Sequence, residues 1–187
     1  MDTSAGTTAA DLLATADRKE LRDLLRDFGD ERDAGRIASA VVRRREQDPF
    51  RTTADLAEVV SRAKGGRRGA KTHPATKTFQ ALRIAVNREL DELDAMLRWG
   101  PDVLADGGRW AVISFHSGED RRVKRRFAEL ARGCVCPPSS PVCICGVEPT
   151  LAVPRGKGIT AGPEELARNP RSRSARLRTA TRIGVAP

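Results

Sequence analysis

Apolar side chains recur at helical spacing through the first third of the chain, and this periodicity constrains the fold most. Residues 7–46 carry leucines, isoleucine and valines three or four positions apart, with a break at Gly29. Asp17 is placed to cap the segment before that break. Thr52 and Asp55 have the spacing of a capping box and open another short helix. Residues 1–72 are therefore predicted to form a small all-helical subdomain.

The rest of the chain mixes helix and strand patterns. A long amphipathic helix is predicted over residues 76–104, followed by two glycines, an apolar strand at 110–116 and a helix at 119–132. This order is typical of one α/β unit of a parallel sheet, in which ligands lie beyond the C-terminal ends of the strands. Four residues at that position are candidate ligand contacts: Ser114, Phe115, His116 and Ser117.

Further elements are predicted toward the C-terminus. Residues 150–154 suit a strand, 163–169 a short helix, and 171–183 a final edge strand. Alternation in such a strand would place Arg171 and Arg173 on one face and Arg176 and Arg178 on the other. These four arginines are the strongest candidates for binding phosphate.

The charge of the chain favours an acidic polymer as partner. The 187 residues carry a net charge of +9, and 28 of the 34 basic residues are arginine, whose planar fork grips phosphate. A solvated basic surface is the alternative. No apolar run is long enough to span a bilayer and no signal-peptide pattern begins the chain, so we expect a cytoplasmic protein without membrane contact. Four cysteines are too few for a secreted disulfide scaffold.

Polar residues also follow one face of the predicted helix at 76–104. Gln80, Arg83 and Asn87 are spaced to share that face and are candidates to line a cleft. His73, just before this helix, could contact RNA or cap the helix. Glu119 and Asp120 begin the next predicted helix, where they could stabilise its N-terminus or act as a general base.

The four cysteines form the pattern C-x-C-(x6)-C-x-C. Cys134, Cys136, Cys143 and Cys145 lie within twelve residues of a proline-rich segment. Four thiolates this close could bind one zinc ion. Thiol pairs without metal, or an occasional disulfide, are the alternatives.

Three stretches together carry a specific resemblance: residues 73–84, 112–121 and 169–178. In this order they resemble the MraW-like family of bacterial methyltransferases, which act on cytosine N4 of small-subunit ribosomal RNA. Residues 7–11, residues 28–32 and the cysteine segment match as well. The resemblance implies S-adenosylmethionine as methyl donor and 16S ribosomal RNA, within the small subunit, as partner. It adds Lys77 to the candidate RNA contacts and places residues 114–116 at the rim of the base pocket.

The implied fold class is α/β: the C-terminal part of a Rossmann-like methyltransferase sheet with an inserted all-helical subdomain. Residues 1–72 would be the insertion, and residues 73–187 the C-terminal half, including the cysteine-rich loop 134–149.

Relatives of this family are longer, and their additional length precedes Met1. That part would hold the glycine-rich loop and the acidic residue that bind the cofactor, and no G-x-G-x-x-G follows a strand here. We therefore expect this chain to contain no cofactor-binding residues and to be inactive alone; no catalytic residue is predicted. Its uncovered sheet edge should pair with the N-terminal half or with itself. The alternative is a non-catalytic RNA-binding remnant or a pseudo-enzyme that binds a protein partner.

Overall fold

The computed structural model describes residues 6–66, 72–137 and 140–184. The chain divides into two compact units, residues 1–90 and residues 91–187. We call these unit 1 and unit 2 and describe each by itself.

Unit 1 is helical in its described residues. Its helices are α1 (Ala9–Thr15), α2 (Arg18–Gly29), α3 (Ala34–Gln47), α4 (Thr53–Ala63) and α5 (Thr76–Asn87). The predicted caps are confirmed, since Asp17 and Thr52 each close a capping box. Helix α2 packs against α3 and α5, and α3 packs against α4. Every regular element described in unit 1 is thus a helix, and that residues 1–72 form a subdomain of their own remains a prediction.

Gly29 ends α2 where α5 passes close to it. A Cβ atom at this position would lie 2.7 Å from the carbonyl oxygen of Lys77 and 3.2 Å from the Cβ of Ala81. The predicted break at Gly29 therefore has a packing reason, because only glycine lets the two backbones approach this closely.

A buried ion pair closes unit 1 near the end of α4. Glu31 is buried and accepts a hydrogen bond of 2.7 Å from Lys64 Nζ, which also donates to the carbonyl oxygen of Pro74. Lys64 belongs to the basic segment 64–71, which the sequence predicts to be an exposed loop. Its ammonium group instead stabilises unit 1 through the hydrogen bonds to Glu31 and Pro74. Residues 67–71 of this segment lie outside the described residues.

The predicted long helix at 76–104 is wrong in one respect, because it is interrupted. Arg88 adopts a left-handed backbone conformation (φ 53°) between α5 and α6 (Glu89–Trp99). A 3₁₀ turn, Gly100–Val103, follows α6. Because α5 packs on α2, the compact units divide after Leu90. The boundary after residue 72 concerns an inserted segment and remains a prediction.

Unit 2 contains a small sheet and two further helices. Its elements are β1 (Arg109–Ser114), α7 (Ser117–Leu130), β2 (Leu151–Ala152), β3 (Ile159–Thr160), α8 (Pro163–Arg168), a 3₁₀ turn Pro170–Ser174, and β4 (Arg176–Arg182). The strands are ordered β1-β4-β2, and β3 also pairs with β4. The mixed helix and strand content expected of an α/β protein is therefore present.

Every strand pairing among the described residues is antiparallel, so none of these pairings shows the predicted parallel sheet, which remains a prediction. Strands β1 and β2 both run antiparallel to β4, so they run parallel to one another, but β4 lies between them. β4 is accordingly not the predicted edge strand. Arg171 and Arg173 precede it in the 3₁₀ turn, so the predicted alternation of four arginines in one strand is also wrong.

The core of unit 2 is formed by one face of the sheet, α7 and the α6 residues Leu93, Met96 and Leu97. Trp110 and Val112 of β1 pack against Val123 and Phe127 of α7, with the rings of Trp110 and Phe127 5.1 Å apart. Alternate residues of β1, Ala111 and Ile113, are exposed on the opposite face. Across the part of the chain that the structure describes, no helix combines the length and apolar character needed to cross a bilayer.

Candidate functional site

The C-terminal end of β1 and the first turn of α7 bring together the residues singled out there. We call residues 114–120 the rim. Ser114 is buried, and its Oγ has no hydrogen-bond partner among the described residues. The side chain of Phe115 is 57% exposed. The rim therefore presents an aromatic surface to solvent beside a buried hydroxyl group.

His116 caps α7 instead of pointing freely into solvent. Its Nδ1 accepts a hydrogen bond of 3.3 Å from the backbone N–H of Glu119, and Glu119 Oε2 accepts from the N–H groups of Phe115 and His116. The other ring nitrogen, Nε2, is buried with no hydrogen-bond partner among the described residues, 3.3 Å from Glu119 Oε1. The expected helix-stabilising role of Glu119 is thus seen directly.

The electrostatics of the rim follow from this cap. Burial alone would raise the pKa of the Glu119 carboxyl group, but the hydrogen bonds from His116 and Phe115 outweigh burial and hold that pKa below its ordinary value of 4.5. Glu119 is therefore an anion near neutral pH, and its oxygens are occupied by the cap.

Asp120 joins the rim to the central strand. Arg178 of β4 donates two hydrogen bonds to its carboxylate, at 2.7 and 3.0 Å, and the Arg178 side chain is only 11% exposed. Arg176 lies 3.9 Å from the same carboxylate and donates to the carbonyl oxygen of Lys157. The side chain of Arg178 is thus held inside the unit, while that of Arg176 is partly exposed and has a hydrogen bond within the protein.

Arg171 and Arg173 are exposed, and among the described residues neither side chain has an ion-pair partner. The turn beneath them is built locally: Asn169 Oδ1 accepts from the N–H of Arg171, and buried Ser172 donates 2.7 Å to the carbonyl oxygen of Asn169. Arg173 lies three residues before Arg176, whose register partner is Ser114. Three residues span at most about 11 Å. The turn Pro170–Ser174, which we call the cationic turn, therefore lies near the rim.

Five candidates lie in unit 1, at and along α5: His73, Lys77, Gln80, Arg83 and Asn87. His73 Nδ1 accepts from the N–H of Ala75, the residue before α5, and no side chain among the described residues caps that helix. Lys77 donates to the carbonyl oxygen of Asp30. Arg83 and Asn87 both donate to the carboxylate of Glu89, so both of these predicted RNA contacts already have a hydrogen-bond partner within the protein. Gln80 is half-buried, and no side-chain hydrogen bond is formed by it among the described residues.

The four cysteines come together in the loop between α7 and β2. Their Sγ atoms all lie within 4.8 Å of one another. Hydrogen bonds from the backbone N–H groups of Val135 and Val147 lower the pKa of the Cys145 thiol to about 6. A backbone hydrogen bond from Cys136 lowers the pKa of Cys134, but contacts with the other three thiols outweigh it and raise the value to about 12. The pKa values of the Cys134 and Cys145 thiols therefore differ widely. Together the four sulfur atoms offer a donor set for a soft metal ion.

Sequence reasoning did not find Asp120 as the partner of Arg178, because the two are 58 residues apart. It also missed Asn169 and Ser172 as the residues that shape the cationic turn. The Asn-Pro pair at 169–170 was an available signal, since such pairs favour turn initiation.

The sequence of the whole chain is similar to known proteins. The model of the MraW methylase family matches residues 1–183. The ribosomal RNA small subunit methyltransferase H of Trichlorobacter lovleyi is 49% identical over 185 residues, which cover 98% of this chain and 59% of that protein. The protein of the same name from Syntrophus aciditrophicus is 49% identical over 184 residues, covering 98% and 58%. The one from Dehalococcoides mccartyi is 49% identical over 176 residues, covering 94% and 49%.

This chain therefore spans between about half and three fifths of the length of the curated relatives it matches. The match runs through both units and includes the rim, the cysteine loop and the cationic turn. The chain belongs to the MraW methylase family, a family of methyltransferases.

Proposed function

We propose that the protein containing this chain transfers a methyl group from S-adenosylmethionine to N4 of a cytosine in 16S ribosomal RNA. The observation that carries this proposal is the match at 49% identity over 98% of the chain to relatives named for methylating small-subunit ribosomal RNA. Their function concerns RNA in the small subunit, so a cytoplasmic location belongs to the same proposal.

The described residues do not fit the methyl donor as a complete site. A nucleoside cofactor needs a glycine-rich turn after a strand and a free carboxylate for its ribose hydroxyls. β1 is followed by Phe115 and His116, and the two carboxylates beyond them are occupied by the α7 cap and by Arg178. We therefore assign to this chain the placement of RNA and derive no step of the methyl transfer from it.

Placement of the base is the larger part of this reaction. The lone pair of cytosine N4 is delocalised into the ring, so the nitrogen must be held in line with the donor, and alignment lowers the barrier. A base in structured RNA must also be unstacked and laid against a flat side chain. Phe115, at the exposed end of β1, suits that role. Ser114 and Ser117 lie beside it, and His116 orients the turn that carries Phe115.

The cationic turn is the part of unit 2 that we assign to phosphate binding. Arg171 and Arg173 are exposed and free to form charge-assisted hydrogen bonds with phosphate oxygens. Arg176 adds a partly exposed guanidinium group, and Arg178 acts by holding Asp120 and the rim in place. In unit 1 we assign RNA contact first to His73 and Gln80. Lys77, Arg83 and Asn87 would have to exchange present hydrogen bonds for RNA.

The open face of the sheet supports the proposed Rossmann-like fold. β1 is the end strand of the sheet, and α7 covers only the face that carries Trp110 and Val112. Parallel sheets of α/β proteins are covered on both faces, and the side chain of Ile113 on the open face is 59% exposed. We propose that the additional length of the relatives supplies strands beside β1 and cover for Ala111 and Ile113.

The test is a fusion that joins this chain to the segment that precedes the matched region in the Trichlorobacter lovleyi relative. With labelled methyl donor and small subunits from a strain lacking its own enzyme, the fusion should produce N4-methylcytidine in 16S RNA, detected by nucleoside mass spectrometry. Label in another nucleoside would overturn the assignment of cytosine N4. A fusion that binds donor and RNA without transfer would favour the non-catalytic alternative.

The RNA-placing role is tested on the chain itself. Arg171→Ala with Arg173→Ala should lower affinity for 16S RNA and flatten the log–log salt dependence by about 0.7–0.9 per lost contact. Arg22→Ala with Arg26→Ala is the matched control, because those two arginines are already paired with Asp23. Equal slopes for the cationic-turn variant and the unaltered chain would remove these residues from the RNA interface.

A further inference from the structure

The connection between α7 and β2 is a closed loop without helix or strand among its described residues. At its neck, the N–H of Thr150 donates 2.8 Å to the carbonyl oxygen of Leu130. Gly133 and Pro149 approach so closely that a Cβ on Gly133 would lie 3.1 Å from the proline ring. Two ends pinned in this way fix where the loop leaves and enters the fold, but not the shape of its tip.

The described residues at the tip of the loop, 134–137 and 140–147, form no apolar core. Their apolar side chains point into solvent: Val135, Val142, Ile144 and Val147 are all exposed, Ile144 to 88%. Hydrophobic burial therefore does not explain why four separate thiols meet. A metal ion or disulfide bonds would hold such a loop in one shape without a core.

The positions of the sulfur atoms match a tetrahedral metal site. A zinc ion with four thiolates at about 2.3 Å requires sulfur–sulfur separations of about 3.8 Å. The Sγ atoms of Cys143 and Cys145 lie 3.5 Å apart, those of Cys145 and Cys134 lie 3.8 Å apart, and all four lie within 4.8 Å of one another. Disulfide-bonded sulfurs would be about 2.05 Å apart.

Backbone groups around the cluster favour the metal-binding form of the thiols. The N–H of Val135 donates to Cys145 Sγ and the N–H of Cys136 donates to Cys134 Sγ, each at 3.4 Å. Such N–H···S bonds stabilise thiolates and orient them toward a shared ion.

We propose that Cys134, Cys136, Cys143 and Cys145 bind one Zn²⁺ as a closed structural site that shapes the loop between α7 and β2. Each thiol gives up its proton as its sulfur joins the metal. All four positions are filled by protein, so the ion has no open position for water or substrate and takes no part in catalysis. Its effect is to order residues 134–145 at the C-terminal end of the helix that begins at the rim.

The experiment measures metal and thiols in the full chain, purified without chelator from zinc-supplemented cells. Elemental analysis should find about one zinc per chain, and substitution by Co²⁺ should give the thiolate-to-cobalt charge-transfer bands of a tetrahedral sulfur site. The four thiols should be slow to react with a thiol reagent until a chelator is added, and chelation should expose residues 134–145 to protease first.

Matched variants separate metal binding from general damage. Cys143→Ser with Cys145→Ser should lower the zinc content at least tenfold, whereas Ser140→Ala in the same loop should leave it unchanged. Zinc below a tenth of an equivalent in the unaltered chain would overturn the proposal. Four freely reactive thiols would then identify packing groups, and no reactive thiols would identify disulfides.

Discussion

The two units differ in how many of their large apolar side chains are exposed. Unit 1 leaves none of them exposed across residues 6–66 and 72–90, whereas all the exposed ones among the described residues belong to unit 2. Two of these, Ile113 and Phe115, lie on or just after the end strand β1. The difference shows that unit 1 buries its large apolar side chains within itself, whereas unit 2 carries exposed apolar surface of the kind that binds other protein surfaces.

The largest effect we expect is on the self-contained unit. Lys64→Met leaves the buried Glu31 carboxylate without its partner and should lower the free energy of unfolding of unit 1 by about 3–5 kcal/mol. Adding Glu31→Gln should restore part of the loss. Amide hydrogen exchange should show faster opening in residues 6–66 and no change in β1, α7 or β4.

Lys19→Met is the control for that variant, because Lys19 is exposed in its pair with Asp23 and should change stability by less than about 1 kcal/mol. Equal acceleration of exchange in unit 2 after Lys64→Met would show that the two units do not close their cores separately.

The next largest effect is on the free energy of unfolding of unit 2. Asp120→Asn removes the carboxylate charge and one of the two acceptors that tie the rim to Arg178, and should destabilise unit 2 by about 1–3 kcal/mol. Glu58→Gln, which breaks an exposed pair with Arg62 in unit 1, should cost less than about 1 kcal/mol. Chemical denaturation of both variants makes the comparison, and equal losses would remove the special role of Asp120.

The smallest stability effect depends on pH. The folded pKa of Glu119 lies below its ordinary value of 4.5, so its contribution is fully present above that pH and is lost as the pH falls through the folded value. Glu119→Gln should cost about 1 kcal/mol at pH 7, and the two proteins should converge in acid. Glu164→Gln, at an exposed position of α8, is the control. A difference that persists unchanged throughout the acid range would exclude the carboxylate as its source.

Local signals account for most of what the sequence predicted correctly. The capping boxes at Asp17 and Thr52, the end of α2 at Gly29 and the short helix before Pro170 all depend on neighbours in the chain. The break at Arg88 was missed because neither glycine nor proline marks it. There the chain places a non-glycine residue at φ 53°, next to the Glu89 that binds Arg83 and Asn87.

The misses in the sheet and the site have a different cause. The insertion of β4 between β1 and β2 depends on pairing with segments about 62–72 and about 30 residues away, which periodicity does not encode. The cap at His116 escaped notice because histidine is not a usual cap residue, although Glu119 three positions later supplied half of the capping-box signal. Which arginines are free also depends on distant partners: Arg178 meets Asp120, whereas Arg171 and Arg173 meet no ion-pair partner among the described residues.

The proposal that unit 2 forms only part of a methyltransferase sheet is tested most directly by calorimetry with S-adenosylmethionine. The chain alone should show no binding in the micromolar range, because its described residues do not form a complete site for the cofactor. Fused to the preceding segment of the Trichlorobacter lovleyi relative, it should bind with one site per molecule. Micromolar binding by the chain alone would contradict the account.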